Sequence, residues 1–510
     1  MSLATDFILK YRDRRQEELV NATELLATQI NARRRMKSAE NAALIAAGKP
    51  IKHRNVEPNI NDIMETHKLF VVRRYMPFVN MAYQYIKKGF ETGIGSLVNS
   101  EQIIRFSLQG NQGHFIHDMY VHVVLEDTGA DNNEDIKYQY CDYPGVRIFK
   151  DVVFNTREGY KLDSYSADNV ILQTQNFRVT EDNRRAWDYM VGQEDIKEAQ
   201  YYHPDYNMKQ SFWFRNGAQT PRPSQNALEL WIPLQFWFNQ DFGQAFPIAA
   251  IDSDQTNIEI KLERLRNILQ ATDREGNVIP LPISKLNIKK CDLYTNNIFM
   301  DDVVFDPLFS RGIRQLIRVN REQRKILTNK SGLVQLKNME FSLQEMYFGF
   351  RPQDNLQQFN RWYVFSKFAQ EDAPVPVIIQ TPGLPAQQLV IRTAEIFNLI
   401  PPTDSVSFHI QGKIMIYDSY SNTFFNQVTP FKFKKITSPK DRGAFMVAWN
   451  VDPTEYNPNG HISLRNNHEL NLQYTSSVIN STCPTELVVV GRSINFLVIR
   501  NKEATLEQIS

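Results

Sequence analysis

The densest group of side chains able to hold a metal or move a proton is the run HFIHDMYVH, which sets His114, His117 and His122 around Asp118. Metal chemistry would need several imidazole nitrogens to converge on one ion at about 2.0 to 2.1 Å. In an extended chain, neighbouring side chains alternate between faces, so His114 and His117 point opposite ways. No Glu or His follows at a recognisable ligand spacing, and a structural role is the expectation for all three. The chain has no GxxxxGK[ST] phosphate loop, no GxGxxG after a strand, no GxSxG elbow and no HExxH, which argues against the enzymes built on those motifs. Cys141, Cys291 and Cys483 lie too far apart in sequence for a zinc knuckle or a CxxC redox pair and read as reduced structural thiols. Neither a catalytic residue nor a cofactor is expected.

Two basic runs remain as candidates for polyanion binding. IRVNREQRK carries Arg314, Arg318, Arg321, Arg324 and Lys325, and FKFKK carries Lys432, Lys434 and Lys435 between Phe431 and Phe433. A single-strand nucleic-acid reader interleaves such charges with exposed rings. Strand alternation would instead send the rings inward and the lysines to solvent, and that is the reading adopted. Overall, 58 Lys and Arg balance 57 Asp and Glu, so the formal charge of +1 supplies no long-range pull toward nucleic acid or an anionic membrane.

The elements that must position these residues fall into two kinds. Residues 1–60 are helix-forming: Leu19, Ala22, Leu26 and Ile30 step along one face, and Arg12, Arg14, Arg15 and Arg33, Arg34, Arg35, Lys37 form two basic clusters. No secretory leader and no membrane-spanning run is predicted. From about residue 65 the text turns to short alternating or β-branched runs broken by Asn, Asp, Gly and Pro, as in many-stranded antiparallel sheets. NIEIKLE, with Ile258, Ile260 and Leu262 on one side, is the clearest half-buried strand, and ELVVVGRSINFLVIR near the end reads as fully buried. The stretch 301–313 is the expected boundary between a first β domain, 61–300, and a second, 314–510. Aromatic residues make up 12% of the chain, enough to predict ring-packed cores and ring-rich contacts between subunits. Residues 194–225 and 350–390 are long polar connections suited to carrying surface identity.

The stretch ALELWIPLQFWFNQDFGQAFPIAAIDSDQTNIEIKLE resembles the signature of the major capsid proteins of nucleocytoplasmic large DNA viruses. ETHKLFVVRRYMPF, FIHDMYVHVVLED, YCDYPGVRIFKDVVFN with LDSYSADN, MVGQED, NGAQTPRP, DRGAFMVAWN, EYNPNGHISLRNN and ELVVVGRSINFLVIRN follow in that family's order from about 60 to 505. They are most similar to its African swine fever virus branch, with shorter loops between strands.

That resemblance implies an all-β double jelly roll, two eight-stranded antiparallel barrels in one chain with a helical N-terminal arm. It also implies a homotrimer forming a pseudo-hexameric capsomer of an icosahedral capsid. Trp231, Phe236, Trp237 and Phe238 are then the first roll's signature strand, with Phe242, Phe246 and Pro247 shaping its turn. Tyr456, Pro458, Gly460 and His461 form the equivalent turn of the second roll, and Trp449, Tyr474 and Phe496 its core. The implied partners are further copies of the chain, penton and minor capsid proteins, the inner membrane beneath the shell through the basic arm, and a viral folding chaperone. Sequence-specific nucleic-acid binding is not implied. Assembly in the host cytoplasm at viral factories is. The rival readings are a scaffold of immature virions with the same fold, a cupin-like metal enzyme centred on the histidines, and a carbohydrate-binding jelly roll.

Overall fold

The computed structural model describes Ala46 and residues 81–508, except for the connections 90–101, 109–112, 130–134, 157–158, 194–195, 204–207, 216–217, 252–255, 282–286, 301–311, 340–341, 380–387, 411–413, 456–458 and 465–468. Sixteen strands build two sandwiches. The first uses β1 Met81–Gly89, β2 Ile103–Leu108, β3 Phe115–Leu125, β4 Phe149–Thr156, β5 Lys161–Ser166, β6 Leu228–Pro233, β7 Thr256–Leu262 and β8 Ile288–Met300. The second uses β9 Ile313–Leu327, β10 Ser331–Gln335, β11 Ser342–Pro352, β12 Ser405–Ile410, β13 Ile414–Ser421, β14 Ala444–Ala448, β15 Leu470–Thr475 and β16 Thr485–Arg500.

In the first sandwich the sheets run β1-β8-β3-β6 and β2-β7-β4-β5, and in the second β9-β16-β11-β14 and β10-β15-β12-β13. Every pairing is antiparallel, and each strand of the second sandwich sits where the strand eight places earlier sits in the first. This is the jelly-roll order, made twice. The last strand of the first sandwich ends at Met300 and the first of the second begins at Ile313.

Local sequence explains the strands. β7 alternates buried and half-buried residues along its whole length, which is what NIEIKLE requires of a strand with one face inside. Phe154 on β4 fills the first interior, with the rings of Phe236, Trp237, Phe238 and Phe246 5.0 to 5.8 Å away. The second interior gathers Phe348, Phe350, Phe408, Phe425, Phe445 and Tyr474.

β11 and β16 are buried on both faces. Along β16, Leu487 and Val489 enter the second core, while Val488 and Val490 join a core shared with the first sandwich. Ala444 and Met446 on β14 do the same, alternating with Phe445 and Val447. The two sandwiches are therefore fused through the outer face of β9-β16-β11-β14.

Connections from odd to even strands lie at one end, and the largest insertions are found there. They include the hairpins Ile196–His203 with Met208–Arg215 and Lys367–Ile379 with Gln388–Ile400. The long polar connections 194–225 and 350–390 thus contain β-ribbon strands. The two sandwiches meet at this end as well: Trp362 Nε1 donates to Asp142 O at 2.9 Å, and Arg147 Nη1 to Phe359 O at 3.0 Å.

The aromatic signature differs from its expected form. The strand stops at Pro233, and Trp237–Gln240 is a short helix whose Asn239 side chain accepts from the Phe236 N–H at 3.1 Å. FKFKK is not a strand either: Thr429–Phe431 is helical, Phe433 is buried and Phe431 is 87% exposed. Cys141, Cys291 and Cys483 are free and buried.

Candidate functional site: the seam and the open face

Asp163, near the start of β5, is completely enclosed where the sandwiches meet. Its Oδ1 accepts from the backbone N–H of Asn320 on β9 at 3.0 Å and of Ser164 at 2.9 Å. Burial pushes its carboxyl up to about 7, against the pull of those donors and of Arg321 and Arg492. Five residues on, Asp168 receives both Nη atoms of Arg351 at 2.7 and 2.9 Å. Burial alone would raise Asp168, but Arg351 and Arg324 hold it below the ordinary carboxylate value. Arg351 also reaches Glu486 at 2.6 Å, and Arg324 reaches Asp168 at 2.7 Å.

A second cluster lies on the same seam. Glu345 Oε1 accepts from Arg178 Nη2 at 2.8 Å and from Arg492 Nη1 at 3.0 Å, and Gln240 Oε1 takes the other arm of each arginine at 2.8 and 2.7 Å. Burial and the like charge of Arg178 pull Arg492 down to about 10. Next to this cluster the ring of Phe177 packs on Tyr347 at 5.3 Å. Buried charges cost several kcal/mol each to desolvate, so they persist only where geometry fixes a partner. Here they set the register of one sandwich on the other. Of these residues only Arg321 and Arg324 were singled out from sequence, as candidates for polyanion binding, and the structure spends them on Asp163 and Asp168 instead. A signal for the others existed in two repeats, DSYS at 163–166 and 418–421 and HDMY at 117–120 against QEMY at 344–347.

The equivalent sheet of the first sandwich, β1-β8-β3-β6, has a partly exposed outer face among the described residues. His122 stacks on Trp231 at 4.1 Å and its Nε2 bonds Glu229 at 2.8 Å. Tyr294 lies 5.0 Å from Trp231, and Tyr83 and Tyr85 on β1 are 72% and 50% exposed. Asp118 accepts from Asn296 Nδ2 at 2.7 Å and from the hydroxyl of Tyr85.

The residues expected at sites divide accordingly. Phe236, Trp237, Phe238 and Phe246 are enclosed in the first core and Tyr474 in the second, with Trp449 packed at its edge. Trp231 is not a core residue, because β6 sends Leu230 and Ile232 inward and Trp231 outward. Phe242 is 51% exposed beside an apolar hollow of about 590 Å³ that Phe115, Pro247 and Leu316 also line. Phe496 faces away from the second core, beneath the guanidinium of Arg314 at 4.0 Å. Gly460 has a φ of +141°, a backbone state that favours glycine, and its carbonyl accepts from Gln344 at 3.3 Å, while His461 is exposed. Tyr456 and Pro458 lie outside the described residues, as do Arg12, Arg14, Arg15, Arg33, Arg34, Arg35 and Lys37. The three histidines are not brought together: His114 accepts from Met300 N, His117 bonds Phe238 O, and His122 bonds Glu229. Among the described residues no group of three or more His, Cys, Asp or Glu converges as a metal site would, and no helix is long and apolar enough to cross a membrane.

Comparison with known proteins accounts for this architecture. The family model described as the major capsid protein N-terminus matches residues 70–301. The major capsid protein of African swine fever virus is 23% identical over 654 aligned positions, covering 98% of each chain. Over nearly its whole length the chain is similar to the major capsid proteins of nucleocytoplasmic large DNA viruses. The alignment spans 654 positions against the 510 residues of this chain, so it carries gaps in this chain. Among solved structures, the Faustovirus major capsid protein superposes with a TM-score of 0.70 at 23% identity, covering 92% of this chain and 98% of that one. A subunit of the PBCV-1 virus capsid gives 0.59 at 15% identity, covering 86% and 100%. The double jelly roll is the fold shared with both structures.

Proposed function

We propose that three copies of this capsid protein close into a ring of six sandwiches, a pseudo-hexameric capsomer that tiles the icosahedral shell of a large DNA virus. The observation that carries the reading is the duplicated sandwich: one strand order used twice, locked by a buried charged seam. A heterologous contact repeated around a three-fold axis closes on itself and leaves no growing end, and two like sandwiches per chain give the ring six similar sides. The near-neutral charge suits close packing of many copies. The insertion-bearing end faces outward, and the plainer end faces the minor capsid proteins and the inner membrane. The work is done by burial of apolar surface rather than by catalysis. Penton proteins fill the five-fold positions. A viral chaperone protects the slow-forming, edge-rich sheets while the shell is built in cytoplasmic factories.

The test is the mass of the purified chain by light scattering after sizing, with electron-microscope images of the same fraction. The expected result is a particle near three times 59.4 kDa with a hexagonal outline. A monodisperse monomer carrying a stoichiometric metal that is lost on His117→Ala would overturn it.

A further inference from the structure

The seam inside one chain has a partly exposed copy of each of its halves elsewhere on the same chain. On the receiving side, Asn320 of β9, Arg492 of β16 and Glu345 of β11 lie in one row across the sheet. In the first sandwich the corresponding strands carry Tyr85, Asn296 and Asp118, again in a row: Tyr85 pairs with Asn296, and both donate to Asp118. The repeat HDMY against QEMY puts Asp118 at the place of Glu345 and Tyr120 at the place of Tyr347.

On the inserting side, DSYS ends β5 and DSYS ends β13. Both aspartates accept from the next serine's N–H, Ser164 to Asp163 at 2.9 Å and Ser419 to Asp418 at 2.6 Å. Both strands then lead into a π-helix, Val170–Arg178 and Phe424–Val428. Fourteen residues after Asp163 comes Phe177–Arg178, and thirteen after Asp418 comes Phe431–Lys432, an aromatic followed by a cation in each case. The first pair is spent on Tyr347 and Glu345. The second is at the surface, with Phe431 87% exposed and Val428 44%.

We infer that the outer face of β1-β8-β3-β6 is the seat of a second copy of this chain, which inserts its segment Asp418–Lys432 there as the first sandwich inserts Asp163–Arg178 within one chain. Phe431 of the second copy packs on Tyr120, Lys432 pairs with Asp118, and Asp418 meets β1 at Tyr85. The chain's own seam is the template, and charge complements charge at the same positions. The inference rests on the self-association proposed above and specifies its surfaces.

Four variants of the full chain test it by mass and by concentration dependence of association. Phe431→Asp, Asp118→Lys and Lys432→Asp each weaken association by at least about tenfold, since truncating or reversing a central anchor removes a hot spot. The double variant Asp118→Lys with Lys432→Asp regains it, because every junction then carries the reversed pair. Phe431 is so exposed that Phe431→Asp leaves the melting temperature of the dissociated chain unchanged, which separates loss of association from loss of fold. If the wild type associates and all four variants match it, the contact lies on another face and the inference fails while the capsomer stands. Single losses without recovery in the double variant overturn the pairing of Asp118 with Lys432. A wild type that stays monomeric at every concentration removes the capsomer reading and this inference together.

Discussion

β3 and β11 occupy the same place in the two sandwiches and share the signature acid-Met-Tyr, yet all eleven residues of β11 are buried while β3 keeps Asp118 and Tyr120 partly open. Glu345 on β11 is enclosed by two arginines, whereas its counterpart Asp118 has an asparagine and a tyrosine hydroxyl. One motif has thus been used for two ends. Covered inside the chain, it contributes to the stability of the folded subunit. Left open, it offers the same surface to a neighbour. The cost of altering it should differ accordingly.

The largest contrast is expected between the tryptophans. Trp237→Ala empties a site walled by Phe154, Phe238 and Phe246 and costs about 3 to 5 kcal/mol in urea unfolding of the dissociated chain, whereas Trp231→Ala on the open face costs about 1 kcal/mol or less. Equal losses at the two positions would mean that the open face is part of the fold rather than a docking surface. Glu345→Ala strands Arg178 and Arg492 without their carboxylate and lowers stability by about 3 to 5 kcal/mol, against about 1 kcal/mol for Asp118→Ala. Asp118→Ala should register instead in the association constant.

A smaller effect separates Asp163 from its exposed copy Asp418 through pH. The folded state raises Asp163 from 3.8 to about 7, so between those values it binds more protons than the unfolded chain. Stability from this group is greatest below about pH 4 and falls as pH rises through 7. Asp163→Asn keeps the acceptor oxygen, removes that slope and raises stability at pH 8 by roughly 1 to 2 kcal/mol, well below the ideal linkage value because the site relaxes. Asp418→Asn should leave the pH profile of the dissociated chain as it was. The smallest response is expected at the cysteines. Burial pushes Cys141 and Cys291 up to about 12, so iodoacetamide labels them only after denaturation, and rapid labelling of the native chain would show that the cores open.

Sequence alone reached the architecture where alternation is one-sided, as in NIEIKLE, and where an apolar run is long, as in ELVVVGRSINFLVIR. It assigned Phe496 to the wrong side because β16 is apolar on both faces, and strand periodicity then does not say which face belongs to which core. The run Phe236-Trp237-Phe238 read as strand because consecutive large rings carry no period. The seam escaped because its partners, such as Asp168 and Arg351 or Arg178 and Glu345, are more than 160 residues apart in sequence. The short polar repeats DSYS and HDMY/QEMY held that information, and polar repeats do not stand out in a search for hydrophobic period.

On the proposed reading one interface is made inside each chain and made again between chains. Electron microscopy of the self-associated particle, at a resolution that traces side chains, tests it most directly. The expected image is a closed ring of six sandwiches in which Phe431 and Lys432 of each copy cover Tyr120 and Asp118 of the next. A ring in which the outer face of β1-β8-β3-β6 stays open to solvent, or is covered by a different segment, would contradict it.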